Sequence, residues 1–340
     1  MMPDEARFAV FGTGFWSRYQ LAAWQEVKGA RCVALYNRTR PKAEKLAAEF
    51  GVPAVYNDPE ELLGIEQLDF VDIITDPSTH EQFVGMVAAR GLPVICQKPM
   101  APSLEAAGRM VEGCSRAGVP FFVHENWRWQ PQIRAFKEEL EARCTGPLFR
   151  ARIDYISNAA VWEQQPFLKE ASEFILADMG SHILDVARFL FGEARAVYCQ
   201  TRRVHKELRG EDVATVMMRM ESGATVVCNL AYAGHTEQGH GLQTFVLAEG
   251  ALGSAELGPG YRVSTTTAKG TRSRCCPPPC YPWADPERAA VHASIVPCNA
   301  DLLKGVTGGR AETTGEDNLK TVRLVYAAYA SARTDRVVEL

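Results

Sequence analysis

The chain lacks a long apolar run. No stretch approaches the ~18 consecutive apolar residues of a membrane span. It also lacks an excess of charge of one sign. Lys and Arg total 37 against 41 Asp and Glu, a net charge of −4, so nothing draws the chain to nucleic acid or to an anionic membrane surface. There is no internal repeat. With 46% hydrophobic and 23% charged residues, the composition excludes disorder, a collagen-like repeat and a coiled coil for the chain as a whole. The start, Met1-Met2-Pro3-Asp4-Glu5-Ala6-Arg7, has no basic stretch followed by an apolar one and does not read as a secretory leader. Most of the ten cysteines are scattered through apolar runs, as at Cys32, Cys96 and Cys228. They read as buried free thiols of a cytoplasmic protein. Cys275-Cys276-Pro277-Pro278-Pro279-Cys280 stands apart. Its prolines make a stiff loop, and without a Cys-x-x-Cys pair beside it the plainer reading is a loop without chemistry. No metal site is expected.

At 340 residues the chain is long enough for two domains, and the pattern places them at 1–125 and 126–340. Arg7-Phe8-Ala9-Val10-Phe11 is an apolar run leading into Gly12-Thr13-Gly14-Phe15-Trp16-Ser17, after which a helical pattern begins. Strand, glycine turn and helix open a dinucleotide-binding βαβ unit. Gly12 permits the turn. Gly14 lets the backbone approach a pyrophosphate at the positive end of a helix. The third glycine is replaced by Ser17. A second strand, 31–36, ends at Asn37-Arg38, where a carboxylate would bond the adenosine ribose. Asn37 can still reach a ribose hydroxyl, and Arg38 can stack on adenine or meet a 2′-phosphate. NAD and NADP both stay open. A solvated loop arginine is the plainer reading of Arg38.

Apolar strands at 70–75, 93–96 and 119–123 alternate with helical patterns at 79–90 and 103–117. This predicts a doubly wound parallel α/β sheet of Rossmann type. Ligands on such sheets sit beyond the strands' carboxyl ends. That selects Gly12, Gly14, Phe15, Trp16, Asn37, Arg38, Asp76, His80, Gln97 and Lys98 as cofactor contacts. Beyond residue 130 the grammar changes. Helices are predicted at 132–143, 174–191, 291–303 and 316–333, and strands at 149–157, 196–204, 212–221, 224–232 and 244–249. This is an α+β domain with a large, mainly antiparallel open sheet.

Three places can do chemistry. Lys98 follows a strand in Gln97-Lys98-Pro99 and can bond a substrate hydroxyl and lower its pKa. A surface lysine after a strand is the competing reading. Asp178 and His182 lie four apart on one face of a helix. His182 can take a hydroxyl proton while Asp178 orients the ring or the substrate. The competing readings are a helix-start aspartate and a satisfied interior histidine. His124-Glu125-Asn126-Trp127-Arg128-Trp129-Gln130-Pro131 mixes polar and aromatic groups as a sugar site does, or as an aromatic core cluster does.

Taken in order, Gly12-Thr13-Gly14-Phe15-Trp16, Gln97-Lys98-Pro99, Asn126-Trp127-Arg128-Trp129-Gln130-Pro131 and Asp178-Met179-Gly180-Ser181-His182 resemble the Gfo/Idh/MocA family of oxidoreductases, from Phe8 to about Leu340. The resemblance implies an NAD- or NADP-dependent sugar dehydrogenase that oxidises an aldose at the anomeric carbon to a lactone. It implies homodimers or homotetramers and a catalytic set of Lys98, Asp178 and His182. Lys98, Asn126, Asp154, Gln165, Asp178 and His182 are then the expected sugar contacts. Two departures stand out: Gln97 where the motif usually has Glu, and Asn37 where an acid usually binds ribose. An NAD-dependent glycosidase, a sugar oxidoreductase with a permanently bound cofactor, and a non-catalytic NAD(P)-dependent sensor remain alternatives.

Overall fold

The apolar runs of the first part of the chain form strands buried on both faces. The computed structural model describes residues 5–235 and 243–340. The stretch read against a leader falls partly outside them. The first unit alternates β1 (Ala6–Phe11), α1 (Phe15–Gln25), β2 (Ala30–Tyr36), α2 (Arg40–Phe50), β3 (Ala54–Tyr56), α3 (Pro59–Ile65), β4 (Phe70–Ile73), α4 (His80–Ala88), β5 (Val94–Gln97), α5 (Leu104–Ala117) and β6 (Phe121–His124). All pairs are parallel, in the order β3-β2-β1-β4-β5-β6. The order reverses direction at β1, which puts the first ligand crevice at the turn after it. Phe8, Phe11, Phe70, Ile73 and Ile95 are fully buried, and Phe8 stacks on Phe70 with ring centres 4.8 Å apart. Burial of such side chains contributes roughly 2 kcal/mol each and explains why these strands read as continuous apolar runs.

The second unit carries α6 (Pro131–Glu141), β7 (Leu148–Ile156), α7 (Val161–Gln164), α8 (Ser181–Phe191), β8 (Ala194–Arg202), β9 (Val213–Met220), β10 (Thr225–Ala231), β11 (Phe245–Gly250), β12 (Gly253–Gly258), β13 (Arg262–Thr267) and β14 (Gly270–Cys275). It is followed by α9 (Ala289–Val306), α10 (Gly315–Thr334) and β15 (Val338–Glu339). The sheet has nine strands, β14-β13-β12-β11-β7-β10-β9-β8-β15. Among the described residues, only the β7–β10 pair of this sheet is parallel. Alternate residues of β9 and β10 are buried, so one face packs inward and the other is open.

The structure departs from the sequence expectation in several places, among them the short α7 and β15. β12, β13 and β14 were not expected. They are rich in Gly, Ser, Thr and Arg, and β14 is exposed throughout, so no apolar alternation marks them. The helix expected over 174–191 is interrupted: Leu176–Gly180 form a π-helical turn before α8 begins. Finally, segments 282–284 and 295–322 belong to the first unit, with 1–125, rather than to one contiguous second domain. The outer strand β6 recruits them: Val123 N–H donates to Thr313 O at 2.9 Å and Phe122 bridges Thr314. Among the described residues, no helix is long and apolar enough to cross a membrane.

Candidate active site

In the first unit the turn after β1 is shaped by Gly12, whose φ is +99°. A Cβ there would stand 2.6 Å from the Ile74 carbonyl oxygen, so both conformation and space demand glycine. Ser17 is fully buried. Its hydroxyl donates to Gly12 O at 3.0 Å and accepts from Gly14 N–H at 3.1 Å. Serine in place of the third glycine thus ties the turn to the helix. A Cβ on Gly14 would meet nothing within 4 Å, and α1 has no acidic side chain in its first turn. That open, positive helix start fits the pyrophosphate of NAD. Phe15 is exposed and Trp16 half-buried at the same turn. At the end of β2, Asn37 is half-buried and its amide donates to Thr13 Oγ1, while Arg38 is exposed. This polar set suits an adenosine ribose.

Beyond β4, Asp76 is exposed and its carboxylate accepts from Ser78 N–H and Oγ at 3.0 and 2.6 Å. His80 is fully buried. Its Nδ1 lies 3.1 Å from Met100 O and its Nε2 3.2 Å from Thr75 O. Each ring nitrogen faces a backbone carbonyl inside the unit, and the one N–H of the neutral ring braces either the loop after β4 or the loop after β5. Burial holds the imidazole below its usual range. Lys98, half-buried, follows β5 at a cis peptide bond to Pro99. Its backbone N–H donates to Gln97 Oε1 at 3.0 Å. Gln97 is 6% exposed, with its amide turned inward to Gln20 and His124.

In the second unit Asp178 sits in the π turn and His182 in the first turn of α8. The turn's early N–H groups are tied down from outside the helix. Phe174 and Leu176 N–H donate to Glu211 Oε1 at 3.1 and 3.2 Å, and Ile175 N–H donates to Glu211 O at 3.0 Å. Ala177 N–H donates to Tyr329 Oη at 3.0 Å, and that hydroxyl donates to Glu211 Oε1 at 2.7 Å. Burial raises the Glu211 carboxyl above its ordinary range, against the pull of these bonds. Tyr232 donates to Asp178 Oδ2 at 3.2 Å. Tyr155 is fully buried with its ring 6.0 Å from that of Tyr232. Burial pushes both phenols up, and the Asp178 charge adds to it. His182 stacks on Trp127. Asp178, His182, Trp127, Tyr155 and Tyr232 therefore form one cluster. Sequence reading singled out the first two. It missed both tyrosines, although their place on inward positions of β7 and after β10 was legible in the alternation.

Two of the expected sugar contacts have protein partners of their own. Asp154 neighbours Tyr155 on β7 and so points to the opposite face. There it pairs with Arg152 at 2.7 Å and accepts from Asn229 at 2.8 Å, away from Asp178 and His182. Asn126 is 2% exposed, and its amide donates to Ser294 Oγ at 2.7 Å and Val291 O at 3.3 Å. It braces the interior. Gln165 is half-buried in the loop after α7. All ten cysteines are free thiols, with Cys275 and Cys280 exposed at the proline loop. Among the described residues no group of His, Cys, Asp and Glu is arranged to hold a metal ion.

A family model described as the oxidoreductase family with an NAD-binding Rossmann fold matches residues 6–125. The GFO/IDH/MocA C-terminal domain matches residues 133–255. The chain is 41% identical to a D-apiose dehydrogenase of Paraburkholderia graminis, over 98% of this chain and 89% of that one. It is 36% identical to a D-apiose dehydrogenase of Rhizobium rhizogenes, over 100% and 99%. Among solved structures it is similar to an oxidoreductase from Agrobacterium radiobacter in complex with NAD+, L-tartaric acid and magnesium. That match has a TM-score of 0.96 at 36% identity and covers 98% of each chain. Matched in both parts and along nearly its whole length, the chain belongs to the Gfo/Idh/MocA family of oxidoreductases.

Proposed function

We propose that this oxidoreductase is an NAD-dependent sugar dehydrogenase that oxidises D-apiose at its anomeric carbon to D-apionolactone. The near-full-length similarity to two D-apiose dehydrogenases carries the reading. Three local stretches support it by their resemblance to that enzyme: Leu35-Tyr36-Asn37-Arg38-Thr39, Cys96-Gln97-Lys98-Pro99-Met100-Ala101-Pro102-Ser103 and Gln165-Pro166-Phe167-Leu168-Lys169-Glu170. Asn37 and the exposed Arg38 also leave NADP acceptable.

NAD, when bound, supplies the acceptor for the hydride that leaves the sugar's C1. The chain's own residues handle the proton. The Lys98 ammonium bonds the C1 hydroxyl, lowers its pKa and steadies the oxyanion as it develops. His182 takes the hydroxyl proton at a ring nitrogen. Asp178 orients the imidazole or a neighbouring sugar hydroxyl, and Tyr232 holds one oxygen of that carboxylate. C1–H thus departs as hydride and O–H as a proton, leaving the lactone carbonyl.

The enzyme works in the cytoplasm as a homodimer or homotetramer on this reading. The open face of the nine-stranded sheet supports association. Met217, Val227, Arg152 and Leu247 stand in register across four adjacent strands, all at least partly exposed. Light scattering after gel filtration reads the state directly.

The functional test mixes purified protein with NAD or NADP and a panel of aldoses including D-apiose, following absorbance at the NADH band. Reduction with D-apiose is the expected outcome. Cofactor binding without reduction by any aldose would overturn the dehydrogenase reading, and cleavage of a glycoside without net NADH would replace it.

A further inference from the structure

The turn of β5 onto Lys98 rests on a buried polar network that the proposed chemistry does not use. Asp72, in the middle of β4, is fully buried. It accepts from Trp24 Nε1 at 2.8 Å and from Gln20 Nε2 at 2.7 and 3.0 Å. Gln20 and Trp24 lie four apart on one face of α1. Gln20 Oε1 accepts from Gln97 Nε2 at 2.6 Å. Gln97 Nε2 also lies 3.2 Å from His124 Nδ1, and His124 Nε2 lies 3.0 Å from Asn299 Oδ1. Asn299 Nδ2 closes the circuit on Gln20 O at 3.5 Å. Gln97 Oε1 is left for the backbone N–H of Lys98.

Donor counting gives this network a direction. An indole N–H can only donate, so Asp72 is an acceptor at its near end. Gln20 then turns its NH2 toward Asp72 and its oxygen toward residue 97. Residue 97 must therefore present a donor below and an acceptor above. Glutamine does both, and a carboxylate does not. His124 Nδ1 accepts the second amide hydrogen, which leaves the imidazole proton on Nε2 for Asn299.

We infer that Gln97 is a positioning residue for Lys98, held in its working orientation by Asp72 through Gln20. The inference rests on the role given to Lys98 above. It accounts for Gln97 where the motif usually has Glu, because this chain already carries its acid at Asp72 and a second one at 97 would face Gln20 Oε1 as acceptor on acceptor. It also makes a reciprocal demand. Asp72→Asn alone sets an NH2 against that of Gln20. Made together, Asp72→Asn and Gln97→Glu let the amide of Gln20 turn over, so that the bonds from residue 72 through Gln20 to residue 97 run the other way while Trp24 Nε1 and the Lys98 N–H still donate.

The experiment compares the full-length parent, Gln97→Glu, Asp72→Asn and the double variant. Readouts are kcat and KM with D-apiose and NAD, NADH binding by fluorescence, thermal unfolding, and the imidazole 15N resonances of His124. We expect Gln97→Glu to lower kcat about 10-fold or more, as a small misplacement of a catalytic group does, with NADH affinity nearly unchanged. The His124 proton should move to Nδ1. The double variant should recover most of the lost kcat, a strong coupling between the two sites. Parental kcat in Gln97→Glu, an unmoved His124 proton, or a double variant no better than the product of the singles would overturn the inference. If Gln97→Glu fails to fold, a folded double variant supports the inference and an unfolded one refutes it. Lys98→Met is run alongside. Full activity in Lys98→Met, or no aldose oxidation by the parent, would sink the reading of Lys98. The His124 resonances and the coupling in thermal stability would then still decide the network.

Discussion

The indole of Trp127 lies nearly flat on the imidazole of His182, with ring centres 4.4 Å and planes 26° apart. Trp127 is itself held by a hydrogen bond from Nε1 to Thr244 Oγ1 at 2.9 Å and by an edge contact with Tyr155. The stack fixes the plane of the His182 imidazole, the proposed proton acceptor. Trp127→Phe keeps a ring against it and loses the bond to Thr244, about 1 kcal/mol of stability. Trp127→Leu frees the imidazole. Steady-state kinetics should show kcat falling about 10-fold or more in the leucine variant and little in the phenylalanine one.

Lys98→Met removes the proposed oxyanion partner without touching the turn after β1. NADH binding measured by fluorescence should stay near the parent value. kcat should fall by about 10²–10⁴-fold, the range for a group acting on the transferred proton.

Glu211 gathers three backbone N–H groups and the Tyr329 hydroxyl at the start of the turn bearing Asp178. Glu211→Ala leaves buried donors without an acceptor, a loss of about 1–3 kcal/mol. It should lower both the unfolding midpoint and kcat. Glu211→Gln keeps one acceptor oxygen and should fall between the two. Denaturant titration and kinetics on the same samples check this.

Asp72 gives a pH dependence with a definite sign. Burial raises its carboxyl to about 7, against the hydrogen bonds from Trp24 and Gln20 that pull it down. Its folded pKa lies above the unfolded one, so the stability it contributes is full below about pH 4 and is lost as pH rises through about 7. Unfolding midpoints measured from pH 4 to 8 should decline over this window. The decline should be flatter in Asp72→Asn, whatever that variant's overall stability.

Gly12→Ala adds a Cβ at φ +99° and 2.6 Å from a backbone oxygen. The turn after β1 must shift, and with it the start of α1. Loss of NADH binding, with unfolding moved to lower temperature, is the expected result.

The parallel sheet was legible because its strands are buried on both faces and carry unbroken apolar runs, while glycine, proline and polar residues punctuate the ends. The second sheet was legible only where one face is buried, as in β9 and β10. β14 buries nothing and left no trace. Among the candidate site residues, Lys98, Asp178 and His182 stand out by motif, and the Gly12 turn by its spacing. Asp154 stands on the face of β7 opposite Tyr155, a side that only strand register assigns.

What the sequence by itself determined is what local periodicity and backbone chemistry encode: the alternation of strand and helix, the Gly12 turn, and the order of the motifs along the chain. Tertiary structure alone decided which polar groups meet. Asp72 reads in sequence as one charge in an apolar strand, and only packing brings Gln20, Trp24 and, through them, Gln97 and Asn299 against it. Glu211 and Tyr329 reach the start of the Asp178 turn in the same way, from a distant loop and the last helix. Hydrogen-bond direction depends on partners far apart in the chain, and no window of sequence contains them.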